Sequence, residues 1–166
     1  MGCILSFTDH LQTKKKASQG KSAESKVADY LAGMDAKHLH FDWHRGYDAR
    51  SAGGKFQRVA GDYSFYRPED YGIFEVKEVD HAYRLPYKNY EFSKVAKAAK
   101  RELAGGRVLV VIYFAKIDAW RWRPISFFQK RDQNVGSWDL NDDYDTFPKV
   151  DQILNLFFSG QIIPKP

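Results

Sequence analysis

Apolar and polar positions recur along this chain with two different periods. Ala23, Val27, Leu31 and Met34 fall at helical spacing behind Ser22, a good N-cap residue, with Gly33 near the end, which predicts a helix from about Ser22 to Met34. "HLHFDWHRG" alternates loosely and reads as a strand. "YDARSAGGKFQRVA" carries Gly53-Gly54 among Arg50, Lys55 and Arg58 and reads as a flexible loop or hairpin tip. Two strands follow, about Val59 to Tyr66 and Tyr71 to Val79, joined by the turn signal "RPED". A helix from about Tyr90 to Ala104 shows Phe92, Val95, Ala96, Ala99 and Leu103 as its apolar face and stops at Gly105-Gly106. "RVLVVIYFA" is the longest apolar run and predicts a central strand buried on both faces. "AWRWRPI" reads as its neighbour, "SWDLNDDYD" as a solvated acidic loop and "VDQILNLFF" as a short terminal helix. The order is helix, three strands, helix, two strands, helix, which is an α/β domain over residues 20–166 behind a basic arm over residues 1–19.

Composition narrows the class. The chain has 166 residues, 43% hydrophobic and 16% aromatic, enough for one well-packed core. Its net charge of +5 tilts the expected partner toward a polyanion. A single cysteine, Cys3, excludes an intrachain disulfide or a cysteine metal cluster and suits a reducing, cytoplasmic setting. No apolar run is long enough for a membrane helix. The start "MGCILS" matches a short acylation pattern and is read here as an unmodified arm with Lys14, Lys15 and Lys16.

The stretch "GDYSFYRPEDYGIFEVKEV" raises the chemical question. Ile73, Glu75 and Lys77 share one face of a strand, while Phe74 and Val76 face the other way. Asp62 lies thirteen positions before Glu75, so a short hairpin brings both carboxylates to one end of the sheet. With the Val76 carbonyl they form an all-oxygen set of the kind Mg²⁺ prefers, and Lys77 points into the same cleft. There it can orient a water and offset phosphoryl charge. Glu24 lies on the Val27–Leu31 side of its helix, facing the sheet. The same residues also fit an ordinary same-face pair, a turn aspartate and a helix-start glutamate.

The segment from Asp62 to Lys77 resembles the PD-(D/E)XK nuclease motif, with Asp62, Glu75 and Lys77 as its D, E and K. "FEVKEV", "LPYKNYEF" and "RVLVVIYF" follow in an order similar to RecU-type Holliday junction resolvases, and "GKSAESKVADYL" resembles the first helix of Hjc-type resolvases, whose glutamate maps onto Glu24. The resemblance implies a restriction-endonuclease-like core with a central mixed sheet flanked by helices. It also implies Mg²⁺, replaceable by Mn²⁺, held by Asp62, Glu75, the Val76 carbonyl and Glu24, and a lysine-assisted hydrolysis of DNA phosphodiesters. Ser51 is the loose counterpart of a serine in the Hjc loop.

Arg50, Lys55 and Arg58 around the glycine loop, and Lys94, Lys97 and Arg101 at i, i+3 and i+7 of the second helix, are candidate phosphate contacts. Tyr47 or Phe56 can stack on unpaired bases. The expected function is resolution of four-way DNA junctions by a homodimer, since two symmetric nicks need two sites. "ILNLFF" and the strand around Trp120 are the candidate dimer surfaces. A restriction-like or general duplex endonuclease and a non-catalytic DNA-binding module remain the alternatives. The small size also suits a phage-encoded protein in a bacterial host.

Overall fold

In the computed structural model of the protein, the structure describes residues 23–46, 60–132, 134–142 and 146–162. The arm over residues 1–19 and the loop carrying Tyr47, Arg50, Ser51, Lys55, Phe56 and Arg58 lie outside the described residues.

The first helix, α1, spans residues 23–37. It continues past Gly33, three residues beyond the expected end. Strands β1 (Asp42–Arg45), β2 (Tyr63–Arg67) and β3 (Asp70–Val79) form an antiparallel meander. The tight β2–β3 turn puts Glu69 in the left-handed region, at φ 61°. Next comes a short strand, β4 (Arg84–Pro86), a single 3₁₀ turn at Tyr87–Asn89, and helix α2 (Phe92–Leu103). Gly105, at φ 90°, ends α2: its N–H donates to the Glu102 carbonyl at 2.9 Å, and the Gly106 N–H to the Arg101 carbonyl at 3.0 Å. That pair of bonds satisfies the carbonyls a helix end leaves open.

Strand β5 (Arg107–Phe114) then runs parallel to β3, and β6 (Ala119–Arg123) runs antiparallel to β5. The sheet order is β1-β2-β3-β5-β6, a mixed sheet with β3 and β5 inside. A one-turn helix α3 (Ile125–Phe128), strand β7 (Ser137–Asp139) paired with β4, and helix α4 (Val150–Phe158) complete the chain.

Two cores lie on opposite faces of the sheet. On one, Ala23, Val27 and Leu31 of α1 and Ile153, Leu154 and Phe157 of α4 cover Phe65, Phe74, Val76, Leu109 and Val111. On the other, Val95, Ala98 and Ala99 of α2, with Ile125, Phe128, Leu85 and Trp138, cover Ile73, Val79, Val108, Val110 and Ile112. The strict alternation of β3 and β5 between these clusters is the period-2 signal carried through both faces.

Several expectations change. In α2 the covered residues are Val95, Ala98 and Ala99, whereas Phe92 and Leu103 are 55% and 84% exposed and Ala96 is exposed. "SWDLNDDYD" is not uniformly solvated: it begins as β7, buries Trp138 and Leu140, and Asp142 pairs with Arg123 and Arg121. In "ILNLFF", Ile153, Leu154 and Phe157 are buried in the first core, as is Trp120, while Leu156, Phe158 and Trp122 are only partly buried.

Gly72 sits where β3 meets β5. A Cβ there would lie 2.2 Å from the Arg107 carbonyl oxygen and 2.7 Å from the Phe65 ring, both held by the sheet. Gly72→Ala is expected to destabilise the fold by about 1–3 kcal/mol through forced separation of β3 and β5. Urea denaturation of the two proteins measures this directly.

Candidate active site

The site begins with register. Tyr63 pairs with Phe74, and the ladder continues one residue further through the Asp62 N–H, which donates to the Phe74 carbonyl at 2.9 Å. Asp62 therefore stands across from Glu75, at the mouth of the β2–β3 pair. Its Oδ2 accepts the Val76 N–H at 2.7 Å and lies 4.0 Å from Lys77 Nζ. Lys77 Nζ is also in direct contact with Glu75 Oε1. Asp62, Glu75 and Lys77 are thus gathered at one point, as their spacing predicted. At Val76 the contact observed is made by the amide, which fixes the Asp62 carboxylate in place.

Burial sets the charges. Glu75 is 0% exposed, and its Oε2 has no hydrogen-bond partner. Desolvation pushes its carboxyl up to about 7 against the pull of Lys77, and Asp62 adds to the rise. For Lys77, burial acts to lower the pKa, but the carboxylates of Glu75 and Asp62 outweigh it and the net direction is upward. Burial therefore dominates at the carboxylate, and the pair dominates at the ammonium. At neutral pH the site holds two carboxyl groups and one firmly protonated lysine.

Glu24 is not drawn into that contact. Its carboxylate is about one-third exposed and is held by Arg45 at 2.5 Å, while its backbone carbonyl accepts the Tyr63 hydroxyl at 3.0 Å. Its charge still acts on Lys77, so Glu24 and Arg45 border the site. Of the basic helix positions, Lys94 is half-buried and its charge reaches Glu75, while Lys97 and Arg101 are exposed. Arg50, Ser51, Lys55 and Arg58 belong to the loop outside the described residues.

Two neighbours escaped sequence reasoning. Arg45 ends an unremarkable strand and becomes relevant only through Glu24. Tyr90 reads as a core aromatic before a helix, yet it packs on Lys77 with its ring centroid 5.0 Å from the ammonium. Neither position carries a sequence signal for this role.

The donor set can be tested against a divalent cation. Among the described residues no group of three or more acidic or histidine side chains is already gathered into a ligand cluster. Two carboxylates with an unpartnered buried oxygen nevertheless fit a hard cation, and Lys77 is the positive charge now lying between them.

Among the described residues no helix is long and apolar enough to cross a membrane. No protein-family model matches the chain, and no curated protein matches it in sequence. The fold does have counterparts: its central mixed sheet flanked by helices is similar to that of an archaeal structure. The chain superposes on the 1.6 Å structure of Archaeoglobus fulgidus Hjc, a Holliday junction resolvase from an archaeal hyperthermophile, with a TM-score of 0.50. Identity is 16% over 78% of this chain and 98% of that one, a likeness of fold.

A carboxyl raised from 4.5 to about 7 favours the folded state fully below the lower value and withdraws that support as pH rises through the upper one. In EDTA the melting temperature is expected to fall by several degrees between pH 5 and pH 8.5. The Glu75→Gln protein should show a flatter profile over the same range. Scanning calorimetry of both proteins checks the sign; equal slopes would mean that Glu75 does not titrate there.

Proposed function

We propose that the protein is a Mg²⁺-dependent, structure-selective DNA endonuclease that resolves four-way junctions as a homodimer. The observation that carries this reading is Glu75: a fully buried carboxylate with an unpartnered oxygen, set beside Asp62 and Lys77 where the β2–β3 ladder ends. A buried ion pair is a poor device for stability alone, so its placement beside a second carboxylate favours chemistry. The junction preference is taken from the fold neighbour, which is a Holliday junction resolvase.

Asp62, Glu75 and the Val76 carbonyl would hold Mg²⁺, or Mn²⁺ in its place, with Glu24 reaching it directly or through a water. When bound, the ion supplies a low-pKa water and neutralises charge at phosphorus. The Val76 N–H keeps Asp62 oriented for this. Lys77 stays protonated beside the carboxylates and is placed to hold a phosphate oxygen. Lys94, Lys97 and Arg101, with Arg50, Ser51, Lys55 and Arg58 of the preceding loop, would contact phosphates along the duplex arms. Two copies would supply the two nicks.

The test is cleavage of a labelled four-way junction beside linear duplex of the same sequence, in Mg²⁺, in Ca²⁺ and in EDTA. Paired symmetric nicks are expected in the junction with Mg²⁺ only. Glu75→Ala should abolish them, and Lys77→Met should slow them by about 100-fold or more while junction affinity changes only a few-fold. Equal cutting of linear duplex would replace the junction reading with a general duplex endonuclease. Tight junction binding without cutting in any metal would leave a DNA-binding module.

A further inference from the structure

Tyr90 lies between the 3₁₀ turn and α2 and is completely covered, at 0% exposure. Its ring packs against Phe128 at 5.5 Å and Trp138 at 6.4 Å, and the Lys77 ammonium lies 5.0 Å from its centroid. Its hydroxyl has no hydrogen-bond partner. The same ammonium contacts Glu75 Oε1, and Glu75 Oε2 likewise has none. One buried donor and one buried acceptor, each unpaired, thus border a single lysine.

Leaving a hydroxyl dry and unpaired costs roughly 1–3 kcal/mol, and a carboxylate oxygen costs more. A single water within reach of both would satisfy both, because it can accept from the phenol and donate to the carboxylate, with Lys77 as a third polar neighbour. Burial, and after it the charges of Glu75 and Asp62, push the phenol upward, so the hydroxyl keeps its proton and remains a donor.

We propose that Tyr90 is a positioning residue of this site: its ring fixes the Lys77 ammonium, and its hydroxyl holds the Glu75 carboxylate through one bound water, setting how that carboxylate meets a divalent cation. The cation part rests on the function proposed above; the link between hydroxyl and carboxylate stands or falls without any cation. Groups that orient a metal-binding carboxylate from behind typically cost 10- to 100-fold in affinity or activity when removed.

Two measurements test it. In the metal-free protein, the ¹³Cζ resonance of Tyr90 should move in Glu75→Gln, and move further than it does in Asp62→Asn. Calcium binding followed by calorimetry should weaken by roughly tenfold in Tyr90→Phe, which keeps the ring on Lys77 and removes only the hydroxyl. A resonance indifferent to Glu75, with unchanged calcium affinity in Tyr90→Phe, would overturn the proposal and leave Tyr90 as packing. A resonance that moves in a protein that binds no divalent ion would uphold the link to Glu75 and remove the metal-dependent reading instead.

Discussion

Everything near the candidate site depends on a carboxylate that the sheet keeps out of water. Glu75 lies on β3, an inner strand, on the face covered by α2 and its neighbours, and its only direct charged contact among the described residues is Lys77. An ionised carboxylate placed there needs compensating charge or hydrogen bonds, and one lysine meets only half the need, since Oε2 is left over. The raised pKa is the result: the group lies near its midpoint at neutral pH, so its state is sensitive to whatever positive charge or donor approaches.

The surrounding structure fixes this tension in place. Asp62 cannot swing away, because its carboxylate is tied to the Val76 amide and its own backbone is part of the β2–β3 ladder. Lys77 cannot leave the cleft easily either, with Asp62 and Glu75 on one side and the Tyr90 ring on the other. Far from the site, at the opposite end of the β2–β3 hairpin, Asp70 binds both Arg67 and Arg107, and Arg107 reaches the Phe157 and Ile162 carbonyls at the end of α4. That cluster fastens the last helix to the same strands. The contrast is informative: Asp70 pairs with two arginines, whereas Glu75 has one lysine and an unpartnered oxygen.

How much of this the sequence revealed follows from the range of each interaction. Asp62, Glu75 and Lys77 were legible because a strand has period 2 and a hairpin has a short reach, so both face and register come from local spacing. The two-faced burial of β5 was legible for the same reason. The covered face of α2 was not: Phe92 and Leu103 fit a helical stripe, but small Ala98 faces the sheet instead, and Phe92 is stacked by Arg131 at 5.3 Å. β4, α3 and β7 have three or four residues each, too few to show a period. Arg121 and Arg123 are buried because Asp142 and the Leu140 carbonyl, brought by a later turn, enclose them, which local spacing does not show.

Tyr90 belongs to that last group, and it changes how the site is understood. A D…ExK pattern specifies three side chains but says nothing about what lies behind them. Here the space behind Lys77 is filled by an aromatic face, which attracts the ammonium without neutralising it. A carboxylate in that position would have paired with the lysine and cancelled its charge. An aliphatic side chain would have offered no attraction and no donor. The aromatic ring leaves Lys77 fully charged toward Asp62 and Glu75, and its hydroxyl places a neutral donor within the field of both carboxylates. Electrostatically, this combination leaves the Glu75 carboxylate short of compensating charge while holding its neighbours still.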